Sequence, residues 1–592
     1  MTKIITRPYD QQFFETLSSS GLPPVLARIY AARGIENSGQ LETELTQLIP
    51  FNQMKNITAA AVFLADAIAA RKRLLVIADY DSDGATACAV ALRILRKFDA
   101  SVDYLVPNRF EFGYGLTPEI VRLAHNIKQP DILITVDNGI ASVDGVAEAN
   151  RLGMRVVITD HHLPGDTLPA AQSIVNPNQP DCSFPSKSIA GVGVVFYLML
   201  ALRAELRQRG AFSTTVVEPN LAGYLDLVAL GTIADVVKLD NNNRILVQQG
   251  LQRIRKGRAC VGINALLQVS GRNCTQISTY ELGFMLGPRL NAAGRLDDMS
   301  MGIECLTTDD ETIAANIAKQ LDELNRQRQG IEAEMQQDAL IKLENSLNSR
   351  KHEIQTAYSI CLFDPDWHQG VIGILASRIK DKYHRPVIVF AAGSSGEIKG
   401  SGRSINGFHL RDALDLVSKR HPDLILKFGG HAAAAGLTIR ADAFTKFCAA
   451  FEQAAQSLLS PSDLTRIIET DGDLPPSEIN LELAHLIDKQ VWGQGFPQPT
   501  FNARFFVENQ RIVGEKHLKL KLRKLDADDC DAAIRKSPTV YDAILFFHND
   551  PLPDVIDAIY RLQINEYNGK TSLQFLLEHW FHTDHTITDH AH

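Results

Sequence analysis

The chain is poor in several features that would have placed it at once. Only eight of its 592 residues are cysteine, at positions 88, 182, 260, 274, 305, 361, 448 and 530, and no two form a CxxC pair. Their scatter excludes a zinc ribbon or a disulfide framework and suits a reducing cytoplasm. No apolar run reaches the roughly 20 residues that span a bilayer. The opening MTKIITRPYDQQFF lacks the apolar core of a signal peptide, so nothing points to export or to a membrane. An overall basic excess is also missing, since the formal net charge is −9. Affinity for nucleic acid must therefore be sought in local charge. What is present is a globular composition, 45% hydrophobic and 22% charged, in a chain long enough for about three or four domains.

The organising stretch is Leu74–Ala85, LLVIADYDSDGA. Leu74 to Ala78 read as a buried strand, and Asp79, Asp81 and Asp83 follow on alternate positions. Gly84 turns the backbone into an apolar-faced helix over 85–96. Three carboxylates this close repel one another unless their pKa values rise or a cation sits between them. Oxygen ligands favour a hard divalent ion, Mg2+ or Mn2+. Taken alone, DxDxD is equally well a solvated acidic turn.

From about 55 to 240, strand-like runs alternate with helical ones: Leu74–Ala78, Val102–Val106, Ile132–Val136 and Arg155–Thr159. This pattern predicts a largely parallel α/β sheet whose ligands gather at the carboxyl ends of the strands. Asp79, Asp137 and Asp160-His161-His162 all fall at such ends. Asp137, before the Asn138-Gly139 turn, is either a helix N-cap or a ligand. The adjacent histidines are harder to explain as core residues. Leu221–Asp235 reads as an apolar helix ending in Asp235, with Asp226 a second carboxylate able to face the site. The glycine-rich Ser188–Val195 opens a helix, through phosphate binding by its N–H groups or through close packing.

Residues 1–50 look like a helical arm. Residues 308–352 read as one long charged helix, broken near Gly330, joining two lobes. Before it, Arg289, Asn291 and Arg295 lie in a Gly/Ala-rich loop, where arginine suits bidentate contact with phosphate. A second α/β unit over 355–460 has strands at Tyr358–Phe363, Val387–Phe390 and Ala435–Ile439. Its loops carry Ser401, Arg403 and His431 but few acids, a composition for an anion pocket.

The last 130 residues or so turn to strands: Phe501–Val507, Arg511–Val513, His517–Leu522, Ala543–Phe547 and Ser572–Leu577. KHLKLKLR alternates basic and apolar residues, placing Lys519 and Lys521 on one face. With Phe505, Phe506 and Tyr567 nearby, this resembles the basic, aromatic groove by which OB-folds hold single strands.

ADYDSDGATA, TVDNGI, DHH and GTIADV, in that order, resemble the four motifs of the DHH phosphoesterase superfamily. PNRFEFGYGL (107–116), IVNPNQP (174–180), IAGVGVVF (189–196) and GPRLNAAGRL (287–296) are similar to signatures of its RecJ-type exonucleases, and GGHAAAAG (429–436) to the DHH-associated domain. The resemblance implies an α/β protein of two lobes, DHH and DHH-associated, joined by a long helix and followed by an OB-fold β-barrel. The domains would be an arm (1–50), the DHH catalytic domain (51–306), a linker helix (307–353), the DHH-associated domain (354–460) and the OB domain (461–592). It implies a two-ion site for Mn2+ or Mg2+ held by Asp81, Asp83, Asp137, His161 and Asp235. Asp79 and Asp160 would be further ligands or would orient these, and His162 would touch the scissile phosphate. Ser401, Arg403 and His431 would take a terminal 5′-phosphate, and Arg109 and Tyr114 would line or wedge a narrow entrance.

The implied activity is single-strand-specific 5′→3′ DNA hydrolysis in repair and recombination, in the cytoplasm. A single-strand-binding protein and a RecQ-type helicase are the implied partners. One departure is Trp492–Pro499, WGQGFPQP, where the family pattern expects FGxGNPxP. Two rivals are a DHH phosphoesterase of polyphosphate or small nucleotides, and a non-catalytic single-strand-binding replication scaffold. The basic C-terminal strands argue against the first and the complete Asp/His set against the second.

Overall fold

The computed structural model describes residues 2–107, 115–214, 216–349, 357–393, 396–514, 516–525, 536–567 and 569–582. The chain forms two compact units, Ile5–Asp322 with Glu469–His592, and Met1–Ile4 with Glu323–Ile468.

In the larger unit, five parallel strands lie in the order Ser101–Leu105, Arg73–Ala78, Ile132–Val136, Arg155–Thr159, Ser173–Val175. The short Ser173–Val175 strand escapes sequence reasoning because three residues carry no periodicity. The apolar runs Leu74–Ala78 and Ile132–Val136 are buried along their whole length, as a sheet covered on both faces requires. The chain reverses direction across the sheet at Arg73–Ala78, and the crevice at this switch point is where open α/β sheets bind ligands. Asp79 and Asp137 stand there. No helix among the described residues is long and apolar enough to cross a membrane.

Residues 501–581 of the same unit close into a five-stranded barrel. Phe501–Val513 is one strand with a bulge at Val507/Asn509, not the expected pair of strands. A further strand, Val555–Tyr567, was not expected.

The smaller unit holds a five-stranded sheet ordered Lys427–Gly430, Ala434–Arg440, Glu397–Arg403, Val387–Ala392, Ile360–Asp364, parallel only between the last two. The long helix Glu311–Ser349 packs Met335, Ala339 and Leu343 against Trp367 and Leu375 of this unit. It runs through Gly330 without the expected break. A helical glycine costs only about 1 kcal/mol, and Glu332 ties the turn together with Arg328 at 2.7 Å and Arg378 at 2.8 Å. The arm is not wholly helical either: Thr2–Thr6 is a strand, followed by helices Gln11–Ser19 and Pro24–Ala31.

Candidate metal centre

Asp81 and Asp83 of the DxDxD turn have separate anchors. Asp81 caps the helix Ser82–Lys97, one oxygen accepting the N–H groups of Asp83 (2.9 Å) and Gly84 (3.0 Å). Asp83 is fully buried and accepts the N–H groups of Gly191 (2.6 Å) and Val192 (2.9 Å). These N–H groups open the helix Gly191–Gln208. The glycine-rich segment expected at a phosphate or at a packing contact therefore binds a carboxylate of the protein itself. Gly191 is obligatory, since a Cβ there would lie 2.6 Å from Asp137 Oδ1.

Asp137 sits at φ +62°, a left-handed conformation that residues other than glycine seldom adopt and that concentrates at functional sites. It is not a helix cap, because Ser142 occupies that position. Asp160 accepts from Nδ1 of His162 (2.7 Å) and from the backbone N–H groups of His161, His162 and Ile140. It orients both histidines instead of turning toward the cluster. Asn176 and Asn178 donate to the carbonyls of His162 (3.0 Å) and His161 (2.6 Å), holding the loop from behind. Their alternation in IVNPNQP was the available signal for this role.

His161 Nε2 then lies 3.1 Å from Asp137 Oδ1 and 3.5 Å from Asp235 Oδ2. Three overlapping sets of potential ligand atoms converge within 4.8 Å: Asp79/Asp81/Asp137, Asp83/His161/Asp235 and Asp137/His161/His162. Asp226 is not among them. It is buried with Cys260 N–H at 2.6 Å and Arg253 at 3.7 Å.

Burial, then the charge of Asp81, pushes Asp83 up to about 7. Burial and the neighbouring carboxylates push Asp137 and Asp235 well above the ordinary carboxylate range. Burial is the largest influence on Asp160 and would raise it, but the bond to and charge of His162, the charge of His161 and the Ile140 N–H together lower it. Burial is the largest influence on His162 and would lower it, but the bond to and charge of Asp160, with the charges of Asp79 and Asp81, together raise it to about 8. The donor set fits a hard divalent cation. It is rich in carboxylate oxygen, it includes the imidazole Nε2 of His161, and it contains Asp235 Oδ2, an atom buried without a hydrogen bond among the described residues.

A pH-dependent stability follows. Asp83 titrates near 7 in the cation-free fold and near 3.8 when unfolded. Between those values the folded state holds a proton that the unfolded chain has released, so stability falls as pH rises. A cation takes the proton's place. The rise in melting temperature on adding Mn2+, relative to EDTA, should grow from pH 5 to pH 8. A pH-independent increment would contradict this linkage.

The GPRLNAAGRL segment braces the centre. It forms the helix Gly287–Leu296, on which Asn291 Oδ1 accepts the N–H of Ser82 (2.8 Å) and its hydroxyl (3.0 Å). Arg289, expected at a phosphate, is paired with Asp322 at 2.7 Å, where its charge is already met.

In the smaller unit, Ser401 and Arg403 lie on one strand with Arg403 Nη1 3.2 Å from Ser401 Oγ. Arg403 makes no ion pair among the described residues, and burial lowers its pKa. The first turn of the helix Ile372–Tyr383 abuts both, since a Cβ at Gly373 would lie 2.9 Å from Ser401 Oγ and 3.0 Å from Arg403 Nη2. His431 is exposed at the end of the neighbouring hairpin strand.

On the barrel, Leu518, Leu520 and Leu522 point inward, while Lys519 and Lys521 point out. Arg511 stands directly across from Lys519. Lys521 has Asp542 across the strand pair at 3.8 Å, and three further basic residues are paired with acids: Arg504 with Asp557, Arg523 with Glu508 and Lys524 with Asp473. Phe505, expected to stack on bases, is inside the barrel against Tyr560 and Phe575, because alternation puts it on the inward face with Phe501. Outward aromatics include Phe547, 85% exposed and at φ +55°, and Phe546, 43% exposed. WGQGFPQP keeps its turn, with Gly495 at φ +69° and the Gln494 carbonyl accepting the N–H of Leu239. Arg109, Tyr114 and the side chain of Tyr567 lie outside the described residues.

A parallel sheet with this carboxylate–histidine cluster at its switch point, followed by a closed five-stranded barrel, defines a DHH-type phosphoesterase that carries an OB domain. The sequence matches the DHH family, N-terminal domain, over residues 73–232, the DHHA1 domain over 353–457 and the RecJ OB domain over 470–579. It is 48% identical to the single-stranded-DNA-specific exonuclease RecJ of Dickeya dadantii, over 97% of this chain and 99% of that one. To the Escherichia coli protein of the same name it is 47% identical, over 94% and 96%. The crystal structure of RecJ from Thermus thermophilus with Mn2+ superposes with a TM-score of 0.80 at 30% identity, covering 98% of this chain and 79% of that one. Its Mg2+ complex gives 0.74 at 28% identity, covering 98% and 78%. The chain belongs to the RecJ family.

Proposed function

We propose that the chain is a single-stranded-DNA-specific exonuclease, dependent on Mn2+ or Mg2+, that releases nucleotides from the 5′ end. The observation carrying this reading is the convergence of Asp79, Asp81, Asp83, Asp137, His161 and Asp235 in overlapping sets within 4.8 Å. Its relatives are named single-stranded-DNA-specific exonucleases over nearly their whole length.

Two divalent cations held there supply an activated water and neutralise charge on the phosphodiester. The chain's own part is to place them and to receive the strand. Asp81, Asp83, Asp137, His161 and Asp235 are the ligands, with Asp79 beside them. Asp160 keeps His162 cationic to about pH 8, so that at neutral pH it donates a hydrogen bond to a phosphate oxygen. Ser401, Arg403 and His431 take the terminal 5′-phosphate. Arg403 suits this best, as a guanidinium next to a helix N-terminus with no carboxylate paired to it among the described residues. Lys519, Lys521 and Arg511, with Phe547 nearby, hold the strand on the barrel, and the affinity they add should weaken with salt. Arg109 and Tyr114 line the entrance that rejects duplex. A single-strand-binding protein and a RecQ-type helicase are suitable partners, since one carries and the other produces such strands. The cysteine pattern and the substrate suit a cytoplasmic enzyme.

An oligonucleotide labelled at either end tests the reading. The expected result is Mn2+-dependent release of the 5′ label as mononucleotide, stopped by EDTA. Release of the 3′ label first would overturn the polarity, and no release with either metal would overturn the enzyme. Arg403→Gln should remove the preference for a 5′-phosphate over a 5′-hydroxyl, by about tenfold for one lost charge-assisted contact.

A further inference from the structure

Tyr280 and Phe284 stack on each other with ring centroids 5.0 Å apart and planes 26° apart. Instead of being buried, they are 50% and 69% exposed. They flank and enter a one-and-a-half-turn π-helix, Glu281–Leu286, that runs without interruption into the helix Gly287–Leu296. π-Helical turns of this kind occur often at functional sites.

The position of the pair points to its occupant. The helical segment that carries Tyr280 and Phe284 runs on directly to Gly287 and Asn291. The Gly287 carbonyl accepts the Ser82 hydroxyl at 2.9 Å, and Asn291 accepts the Ser82 N–H at 2.8 Å. Ser82 stands between the ligands Asp81 and Asp83. A second line of contact leads to Asp235. Gly283 lies against Ile233, whose carbonyl takes the N–H of Val236 at 3.3 Å. Val236, directly after Asp235, is 63% exposed and held at φ +59°, a conformation that is an outlier for a β-branched residue. In the other direction, Thr279 donates to the Trp492 carbonyl at 2.7 Å and Gln276 to Glu566 of the barrel at 2.7 Å. The exposed rings therefore lie along the same unit between the metal centre and the barrel.

Resting on the single-strand reading above, we propose that Tyr280 and Phe284 form a base-stacking platform, continuous with the metal centre, for nucleotides of the single strand beyond the scissile bond. Every base offers a π-face, so an aromatic platform grips a strand without reading its sequence. An exonuclease that shortens any strand stepwise needs such a grip. It also resists the strand's retreat after each cut, because the bases nearest the metals remain stacked.

The test uses the full-length protein with Mn2+, and the substrates pTpT and dT20, both carrying a 5′-phosphate. Wild type should show a KM that falls from pTpT to dT20 as bases reach the platform. In Phe284→Ala and Tyr280→Ala, KM for dT20 should rise about tenfold per ring removed, the effect lying in KM and not in kcat, so that the length dependence flattens. Phe284→Trp should restore the wild-type KM, and its fluorescence should be quenched by dT20 but not by dT20 made abasic. Both side chains are exposed, so melting temperatures should match wild type. A length dependence in the alanine variants equal to that of wild type would overturn the platform and leave the pair as a surface for another macromolecule. So would a tryptophan at 284 that dT20 does not quench. Wild-type protein that releases nothing from dT20 would instead overturn the exonuclease reading itself.

Discussion

Asp235→Asn should lower metal-dependent cleavage of a single strand by about a thousandfold and, in the cation-free protein, raise the melting temperature. The two effects have one cause. Asp235 is half-buried beside Asp79, Asp81, Asp83 and Asp160, and burial together with their charges drives its pKa far up. Its Oδ2 makes no hydrogen bond in the described structure and lies 3.5 Å from His161 Nε2. Without a cation, folding must either protonate this carboxylate or set it against its charged neighbours, and the isosteric amide avoids both costs. As a proposed ligand the carboxylate would hold the cation, and a neutral amide oxygen would hold it more weakly. Metal ions contribute several kcal/mol to stabilising the charge of such a transition state, and about 1.4 kcal/mol is a factor of ten. Loss of activity with a lower melting temperature would mark Asp235 as structural. Retained activity would remove it from the ligand set. Asp83 is a poorer choice for this test, because both its oxygens accept N–H groups of the helix Gly191–Gln208. An asparagine there would turn one donor against another.

The second large effect is expected at Gly294→Ala, far from any ligand in sequence. A Cβ at Gly294 would stand 1.9 Å from the carbonyl oxygen of Tyr80. Tyr80 lies between Asp79 and Asp81. The clash is backbone against side-chain carbon on a helix already bound to Ser82 through Asn291, so neither partner yields without moving the DxDxD turn. Overpacking of this sort costs about 1–3 kcal/mol, and displacing ligands by an ångström is worth about a hundredfold in rate. Melting temperature and cleavage should fall together. The Mn2+ needed for half-maximal activity should rise, which a purely global destabilisation would not produce. Full activity in the alanine variant would show that the helix does not brace the turn.

Much of the centre could be read along the chain because its residues obey local rules. Asp79, Asp137 and Asp160-His161-His162 come directly after apolar runs whose length and flanks mark parallel strands. Parallel strands bring the residues at their carboxyl ends to one edge of the sheet. Strand alternation likewise set Lys519 and Lys521 apart from Leu518, Leu520 and Leu522. The same rule, applied to Phe505, would have turned it inward, where it is found. The continuity of the helix through Gly330 was not legible, because the glycine is outweighed by ion pairs, one of them to Arg378.

The sequence by itself determined which residue types stand at the strand ends, and hence that a hard-cation site of carboxylates and histidine would form there. Only the tertiary structure decided what each of them does. Asp83 is anchored by N–H groups more than a hundred residues away, Asp160 is turned aside to its histidine, and Arg289 is held by Asp322. Tyr280 and Phe284 are left in solvent. These assignments depend on distances between elements remote in sequence. Periodicity specifies only which way a side chain faces within its own strand or helix, and packing then supplies the partner that decides between ligand, brace and binding surface.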